Sequence, residues 1–396
     1  MPHAAILTSY PFPGFAATSN RVLSLAKGLA EDKYFKVTVI GPGPDRSMQG
    51  QRLDRDDFTV LSVNQKQYTG SNLFIRGLNE ARLFIHLINR ANKCCPDIII
   101  VTIPSIFLLG VTIIKGKNIP IIIDVRDLVW EYFIKKSLLY RIVGKCMKKI
   151  CIILLRQADK VTLTNQAEYN SLVKYVSSPK IIYNGLDKSR FNQLRSLSSY
   201  RSNKQSEKIN ITYAGNIGFA QKLDTLIDAA RNLQNIKVTL IGNGKDFFRL
   251  QKYIDENQIN NVEMTGELNW VEIINYYKKT DIFFVQIGKE FTTALPSKIF
   301  ECLASGKPLI LAAPNGPATE LSAIFEGLHV VEPEDSVMLK DKITSLISSK
   351  NVTYPNNIKI IEDKYLRENQ ALLFSEMVKE IYLNSRNNIT HQHIYK

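Results

Sequence analysis

The chain has 396 residues, which is long for a single hydrophobic core and therefore predicts two domains. Its formal net charge is +14, a basic balance that suits nucleic acid, anionic lipid or phosphorylated substrates. No apolar run approaches the ~18 residues of a membrane span, and the amino terminus lacks the basic and apolar regions of a secretory signal. We therefore expect a cytoplasmic protein. Its five cysteines, an odd number without a Cys-x-x-Cys pair, agree with a reducing compartment.

Short apolar runs alternate with amphipathic stretches along the first half of the chain. The runs are "AAILTSY", "KVTVIGP", "FTVLSV", "DIIIVTI", "IPIIIDV" and "KVTLTN". Fully apolar strands flanked by helices indicate a parallel sheet that is covered on both faces. Residues 1–190 are thus predicted to form a doubly wound α/β domain.

The pattern breaks in a polar stretch rich in Ser and Asn, which predicts a linker over residues 191–208. It restarts with "INITYAG", "IKVTLIGNG", "NVEMTG", "DIFFVQIG", "KPLILAAP" and "LHVVEP", which predict a second domain over residues 209–365. Residues 366–396 follow as one long helical pattern, a candidate to cross back to the first domain. The predicted fold class is α/β, with two Rossmann-like doubly wound domains facing across a cleft. Ligands of such sheets bind beyond the carboxyl ends of the strands.

Two loops that follow strands of the first domain carry candidate site residues. Gly14 precedes a helix, and Arg21 in the first turn of that helix is either an anion ligand or a surface arginine. Asp124, Arg126 and Asp127 follow the fifth apolar run, and Arg126 is with Arg21 a candidate for the acceptor side or for a phosphate. A carboxylate there can take a proton from a sugar hydroxyl, whereas the plain alternatives are a helix cap and an ion pair.

Glycines follow two strands of the second domain. Gly218 lies ahead of a helix that begins near Lys222, a combination that suits a phosphate. Gly242 and Gly244 resemble a dinucleotide fingerprint, but Phe247 occupies the place of its third glycine. These two glycines predict a tight turn between strand and helix rather than a cofactor motif.

The stretch "LPSKIFECLASGKPLI" predicts a short helix that opens at Pro296 and Ser297. Lys298 lies at its amino end, where the partial positive charge of a helix disfavours a cation unless an anion is bound. Glu301 is three residues further and shares a face with Lys298. The two side chains either form an ion pair or bind different parts of a nucleotide. In the second case Lys298 binds the diphosphate and Glu301 accepts hydrogen bonds from the ribose hydroxyls.

Several of these stretches together resemble a known family. "IIYNGLD", "LIGNG", "NVEMTGEL", "YYKKTDIFFV" and "ALPSKIFECLASGKPLI" are similar to segments of the family-4 glycosyltransferases, retaining enzymes with the GT-B fold. The "LPSK.FE.LASGKP" form is similar to enzymes of bacterial O-antigen and capsule gene clusters, including those regarded as fucosamine transferases. The resemblance spans most of the chain and implies transfer of a sugar from a nucleotide sugar.

The resemblance also implies roles for single residues around the short helix. Glu301 matches the second acid of the family's Glu-x7-Glu element and is thereby implied to bind the ribose of the donor. Thr293 stands where the first acid is expected. The backbone amides of the segment after it are the implied substitutes, and the segment comprises Thr293, Ala294, Leu295, Pro296 and Ser297.

The family usually places Arg and Lys on the diphosphate. Asn216 and Gln221 lie near those positions in this chain, and Lys222 and Lys298 are the candidate replacements. The glycines of the two loops complete the implied donor site. In the first domain the segment from Asp124 to Asp127 stands where the family often has a His.

The implied reaction is a retaining hexosyl or N-acetylhexosaminyl transfer from a nucleotide sugar, expected to be UDP-linked, without metal or other cofactor. Cations and helix amides stabilise the charge that develops on the departing phosphate, so Lys298 is a catalytic candidate. The donor phosphate can itself take the proton of the acceptor hydroxyl. Asp127 and Asp124 are the further catalytic candidates from the protein.

The stretch "KKSLLYRIVGKCMKKICIILLRQ", residues 135–157, alternates cations with apolar residues. It predicts a helix that lies on an anionic inner leaflet, where a lipid-linked glycan acceptor would be reached. The alternative is a solvated surface helix with one face in the domain core. The localisation predicted from this stretch is peripheral, at the inner face of the cell membrane.

Two other functions remain open from the sequence alone. A nucleotide-sugar epimerase of the same fold is one, and a catalytically inactive nucleotide-sugar-binding partner subunit is the other, because Thr293 replaces an acid of the family. A nucleic-acid partner is not expected, since no basic surface interleaved with aromatic residues stands out.

Overall fold

The computed structural model describes residues 1–14, 17–43, 50–55, 57–64, 73–103, 119–134, 138–199, 208–347 and 352–394. The chain divides into two compact units. The first comprises Met1–Asn184 together with Arg367–Lys396, and the second comprises Gly185–Leu366.

A parallel sheet forms the centre of the first unit. Among the described residues its strand order is β3-β4-β2-β1-β5-β6-β7-β8, and only the edge pair β3–β4 is antiparallel. The strands are β1 (His3–Thr8), β2 (Lys36–Pro42), β3 (Arg52–Asp54), β4 (Thr59–Val63), β5 (Ile98–Ile103), β6 (Ile121–Val125), β7 (Lys160–Leu163) and β8 (Lys180–Ile181).

Both faces of this sheet are buried because its central strands are apolar at most positions. Ile98 and Ile100 of β5 pack in one core cluster, which also holds Phe374. Ile99 and Val101 pack in a second cluster on the opposite face. The helices that cover the two faces are α1 (Ala17–Glu31), α2 (Leu73–Asn92), α3 (Val129–Ile134), α4 (Leu138–Leu155) and α5 (Gln166–Leu172).

The second unit has a sheet with the order β11-β10-β9-β12-β13-β14, in which every described pair is parallel. Its strands are β9 (Ile209–Ala214), β10 (Ile236–Ile241), β11 (Val262–Gly266), β12 (Ile282–Gln286), β13 (Leu309–Ala312) and β14 (Leu328–Val331). With two parallel-sheet domains, the predicted α/β class is confirmed.

Helices precede, separate and follow the strands of the second unit. They are α6 (Lys188–Arg195), α7 (Asp224–Ala230), α8 (Phe247–Glu256), α9 (Trp270–Lys279), α10 (Lys298–Leu303), α11 (Pro317–Glu320), α12 (Ser336–Ile347) and α13 (Pro355–Lys364). The carboxyl ends of neighbouring parallel strands share one edge of the sheet, and the loops at this edge hold the candidate site.

The structure differs from the prediction at the start of the linker. The side chain of Asp187 accepts hydrogen bonds from the amides of Ser189 and Arg190 and so begins helix α6. Phe191 and Leu194 of that helix are buried. Two apolar anchors thus make the start of the polar stretch part of the second unit, and residues 200–207 of the predicted linker lie outside the described residues.

The last helix, α14 (Arg367–Ile394), belongs to the first unit although it follows the second unit in sequence. It packs on α1 so closely that a Cβ atom on Gly28 would lie 2.7 Å from the Cβ of Ala371. Phe374 and Val378 of α14 are fully buried in the core of the first unit.

Candidate functional site

A pocket of about 310 Å³ opens at the carboxyl ends of β9, β10 and β11 in the second unit. Parallel α/β sheets bind ligands at this edge. We call it the Lys298 pocket, and its lining consists of Ala214, Gly215, Asn216, Ile241, Gly242, Asn243, Glu267, Leu268, Ile273 and Lys298.

Close approach of two loops shapes this pocket. Gly242 has a φ of +135°, and a Cβ atom there would lie 1.9 Å from the carbonyl oxygen of Gly215. The amide of Gly215 donates to the carbonyl of Ile241, and the amide of Gly242 donates to the carbonyl of Gly266. Gly242 is therefore required by loop packing, and these two amides serve the sheet rather than a phosphate.

Lys298 and Glu301 form the ion pair that their spacing allowed. The Nζ of Lys298 lies 2.7 Å from Oε1 of Glu301, which also accepts a hydrogen bond of 2.9 Å from the hydroxyl of Tyr277. The other carboxylate oxygen of Glu301 lies 3.8 Å from Nη1 of Arg190. Glu301 is only 4% exposed and does not line the pocket, whereas Lys298 does.

The structure brings Asn216, Gly242 and Lys298 together from the predicted donor residues and leaves the others outside the lining of this pocket. Gln221 accepts hydrogen bonds of 3.2 Å from the side chain of Asn216 and from the amide of Gly218. These contacts close the glycine loop on itself.

The remaining predicted donor residues have local structural roles or lie beside the pocket. Lys222 adopts a left-handed conformation, and its carbonyl accepts a hydrogen bond of 2.6 Å from Gln286. A Cβ atom on Gly244 would lie 2.3 Å from the carbonyl oxygen of Ile217, so this glycine also serves loop packing. The predicted amide segment from residue 293 to residue 297 is partly buried and precedes α10.

Glu267 is the one carboxylate in the lining of the Lys298 pocket, and the predicted site residues did not include it. It follows β11 directly, together with Leu268. The rule that places ligands beyond strand ends, applied to the stretch "NVEMTGEL", points to this residue. Nothing in the sequence marks Ile273 or Asn243 as a site residue, because apolar residues in helices and asparagines in loops are common throughout proteins.

In the first unit, Arg21 and Asp124 form a buried ion pair. Arg21 is 3% exposed and Asp124 is fully buried. The guanidinium donates from Nη2 to Oδ1 at 2.6 Å and from Nε to Oδ2 at 2.8 Å. Oδ1 also accepts a hydrogen bond of 2.7 Å from the hydroxyl of Thr162.

This pairing bears on two predictions. Asp124 is fully buried and its two oxygens accept hydrogen bonds from Arg21 and Thr162, which favours a structural role over the predicted catalytic one. Arg21 also donates from Nη1 to the carbonyl of Ile182 and to the side chain of Asn184, so each of its three side-chain nitrogens makes a hydrogen bond within the first unit. Both residues hold α1, β6 and the end of β8 together.

The other predicted residues of the first unit lie nearer to the surface. Asp127 and Gly14 are exposed, and Arg126 is partly buried. Burial lowers the pKa of Arg126, and so does the charge of Arg21. Neighbouring Glu168 is buried, and burial raises its pKa to about 8 although the amide and hydroxyl of Thr164 both donate to it.

Comparison with known proteins assigns the segment that carries the pocket. Residues 197–365 match the family described as "Glycosyl transferases group 1". The second unit matches the group 1 glycosyltransferases. All ten residues of the Lys298 pocket lie within the matched segment.

The relatives agree with this match. A glycosyltransferase of Methanocaldococcus jannaschii is 24% identical over 243 residues, which is 59% of this chain. The alignments with this protein and with a second glycosyltransferase of the same organism span 57% and 44% of the lengths of those relatives. The chain thus covers about half of the curated relatives that it matches.

Solved structures share the fold over nearly the whole chain. Sucrose-phosphate synthase from Thermosynechococcus elongatus superposes with a TM-score of 0.77 at 16% identity, covering 97% of this chain and 100% of that one. Anabaena HepE, solved in complex with UDP and glucose, gives 0.66 at 18% identity, covering 95% and 99%. At such identities the likeness establishes the GT-B fold of the glycosyltransferases and nothing finer.

Proposed function

We propose that this protein is a retaining glycosyltransferase that uses a nucleotide sugar, UDP-linked, as donor. Its acceptor is a lipid-linked glycan of a surface polysaccharide such as O-antigen or capsule, and the sugar is a hexose or N-acetylhexosamine, with fucosamine among the candidates. The observation that carries the proposal is the Lys298 pocket, which lies at the ligand-binding edge of the sheet and inside the segment matched by the group 1 glycosyltransferases.

The side chains of the pocket have the chemistry that such a donor requires. The ammonium of Lys298 attracts a diphosphate and stabilises the charge that grows on it as the sugar departs. The carboxylate of Glu267 accepts hydrogen bonds from hydroxyls of ribose or sugar, and the apolar side chains of Leu268 and Ile273 offer contact to a base. The departing phosphate takes the proton of the acceptor hydroxyl, and Asp127 is the catalytic candidate from the first unit.

Replacing Lys298 with Gln tests the assignment of the pocket. Loss of its charged contact to the diphosphate is expected to weaken binding of UDP about 10- to 100-fold, as for one hydrogen bond to a charged group. Isothermal titration calorimetry with the full chain measures the change. Lys252→Gln is the matched control, because Lys252 also pairs with a glutamate on its own helix, at 3.5 Å, but is 75% exposed outside the pocket.

An unchanged UDP affinity in Lys298→Gln would remove the pocket from donor binding. Turnover of a panel of nucleotide sugars then separates the candidate functions. Release of nucleoside diphosphate only with an added lipid-linked acceptor indicates a transferase. Interconversion of the sugar without acceptor indicates an epimerase, and donor binding without any turnover indicates an inactive binding subunit.

We further propose that helix α4 docks on an anionic membrane surface. The exposed side of this helix carries apolar residues, of which Leu138 is 70% exposed and Ile142 is 55% exposed. Exposed cations lie among them, namely Arg141, Lys145 and Lys149. Basic and apolar side chains on one exposed helix side suit the headgroup region of anionic lipids.

Two further observations bear on this surface. None of the helices in the described part of the chain combines the length and the apolar character that crossing a membrane demands. Lys135 and Lys136, which the predicted segment also includes, lie outside the described residues. The proposal therefore rests on the exposed side chains of α4 alone.

Replacing Leu138 and Ile142 together with Ser is expected to weaken binding to vesicles that contain phosphatidylglycerol about tenfold or more, because burial of two large apolar side chains is lost. Co-sedimentation with the full chain measures this. A double change of Val271 and Val337 to Ser is the control, since those residues are 71% and 69% exposed in the second unit. Equal weakening by both pairs would contradict docking through α4.

A further inference from the structure

Tyr277, in helix α9, is a buried tyrosine whose hydroxyl reaches the ion pair beside the Lys298 pocket. The hydroxyl donates a hydrogen bond of 2.9 Å to Oε1 of Glu301. The residue is 1% exposed, and its ring packs edge-on against Phe283 with 4.7 Å between the ring centroids. Tyr277 does not line the pocket, so a ligand bound there does not touch it. Burial raises the pKa of Tyr277, as does the charge of Glu301, so the hydroxyl stays protonated and donates at neutral pH.

Lys307 fixes the end of α9 that carries Tyr277. Its ammonium donates hydrogen bonds of 2.8, 3.1 and 2.7 Å to three carbonyls, which belong to Tyr277, Lys278 and Thr280. Lysine side chains commonly satisfy the carbonyls at a helix end in this way. Lys307 is only 7% exposed, so water competes little for these hydrogen bonds. Because Lys307 follows α10 in the chain, it joins the helix that carries Tyr277 to the helix that carries Glu301.

Glu301 transmits this fixed position to Lys298. Its Oε1 atom accepts from the hydroxyl of Tyr277 and also lies 2.7 Å from Nζ of Lys298. The side chain of Lys298 is 32% exposed and has a long flexible stem, so its ammonium would sample many positions without a partner. Glu301 is 4% exposed and thus ties this ammonium to a buried anchor. The one lysine in the lining of the pocket is thereby held in place.

The ion pair leaves the pocket attractive to an anion because a second cation balances Glu301. Nη1 of Arg190 lies 3.8 Å from Oε2 of Glu301, and the guanidinium lies over the ring of Trp270, 4.5 Å from its centroid. Arg190, Lys298 and Glu301 together carry one net positive charge. Glu301 is therefore able to stay paired while Lys298 attracts a diphosphate. Protein kinases use the same arrangement, in which a glutamate holds the lysine that binds the phosphates of ATP.

We infer that Tyr277 is a positioning residue of the donor site, which acts through Glu301 to hold the ammonium of Lys298 against the diphosphate. The inference rests on the proposed function, because it requires that the Lys298 pocket binds a nucleoside diphosphate. It assigns the carboxylate of Glu301 to Lys298 while the donor is bound, rather than to the hydroxyls of the ribose. All of the residues in this network belong to the second unit.

Tyr277→Phe keeps the buried ring and removes only the hydroxyl. It is expected to weaken binding of UDP to the full chain about three- to tenfold, because the loss reaches the ligand only through Glu301 and Lys298. Isothermal titration calorimetry measures the change. Tyr253→Phe is the matched control, since it removes a hydrogen bond of 2.7 Å to the carboxylate of Asp228 outside the lining of the pocket. An unchanged UDP affinity in Tyr277→Phe would overturn the inference.

The same substitution in a chain that already carries Lys298→Gln separates positioning from a general structural role. A residue that acts through Lys298 has nothing left to position there, so Tyr277→Phe is expected to leave the remaining UDP affinity unchanged. A structural defect of the second unit does not depend on Lys298 and would weaken binding equally in both backgrounds. Equal weakening would therefore refute the inference and make Tyr277 a structural residue.

Glu301→Gln gives a second measurement, which decides the question even if Tyr277→Phe does not fold. The amide keeps an oxygen that accepts from Tyr277 but removes the charge that holds Lys298. It is expected to weaken UDP binding in the unmodified chain and to have no effect beside Lys298→Gln. Weakening in both backgrounds would make Glu301 a direct ligand of the nucleotide and refute the inference alone. Absence of UDP binding in the unmodified chain would refute the proposed function, and this inference with it.

Discussion

Replacing Asp124 with Ala is expected to lower the free energy of unfolding by about 3–5 kcal/mol, because it leaves the buried guanidinium of Arg21 without its counter-charge. The carboxylate of Asp124 receives two hydrogen bonds from Arg21 and one from Thr162, and no part of it is exposed. Urea unfolding at pH 7, followed by circular dichroism, measures the loss. This is the effect of a structural residue rather than of a catalytic one.

Two further variants test the reason for that loss. Arg21→Met combined with Asp124→Leu removes both charges, and is expected to recover most of the stability, as apolar replacement of buried ion pairs commonly does. Asp54→Ala breaks the exposed pair with Arg52 and is expected to leave the free energy of unfolding nearly unchanged, because water screens both charges. A stable Asp124→Ala protein that binds its substrates normally but turns over slowly would restore the catalytic interpretation.

The contact between Arg21 and Asp124 could not be predicted from the sequence. The sequence places three charges after the fifth apolar run and an arginine in the first helix, but the two partners are 103 residues apart. Nothing in either stretch says that they meet. Only the order of strands, with α1 lying beside the carboxyl end of β6, turns a candidate site into a structural ion pair.

The strands were the most predictable part of the fold. β5 is apolar at nearly every position and buried at every position, so its sequence alone indicates a strand that is covered on both faces. The glycine after β10 was correctly assigned to a tight turn, since Phe247 breaks the cofactor fingerprint and the structure shows Gly242 against the carbonyl of Gly215.

The position of the Lys298 pocket could be predicted from the sequence, but most of its lining residues could not. The rule that ligands bind beyond the carboxyl ends of parallel strands led to Asn216, Gly242 and Lys298, which line one pocket in the structure. It also favoured Glu301, whose carboxylate is instead engaged by Tyr277 and Lys298. Helical spacing shows that Lys298 and Glu301 share a face, but it cannot show which of them turns toward a pocket and which toward the core.

The second large effect concerns pH. Glu168, at the start of α5, is buried, and burial raises its pKa from the ordinary value of 4.5 to about 8. Between these two values the folded protein holds a proton that the unfolded chain has released. Stability therefore falls as pH rises through this window, by about 1.4 kcal/mol per unit at most. The loss of stability is complete once the pH exceeds the pKa of Glu168 in the folded protein.

Glu168→Gln is expected to remove this pH dependence, because the amide stays neutral and its oxygen still accepts the hydrogen bonds from Thr164. At pH 9 the variant should exceed the unmodified protein by about 3–5 kcal/mol in free energy of unfolding, and at pH 5 the two should be nearly equal. Urea unfolding at pH 5, 7 and 9 measures the difference.

Glu256→Gln is the matched control for this series, since the side chain of Glu256 is 63% exposed and its substitution should leave the slope unchanged. If Glu168→Gln instead keeps the slope of the unmodified protein, Glu168 is ionised in the folded state across this range. The two hydrogen bonds from Thr164 and the charge of nearby Arg21 would then stabilise the carboxylate by more than burial destabilises it. The difference in slope between Glu168→Gln and the unmodified protein thus decides whether desolvation or hydrogen bonding dominates at the carboxylate of Glu168.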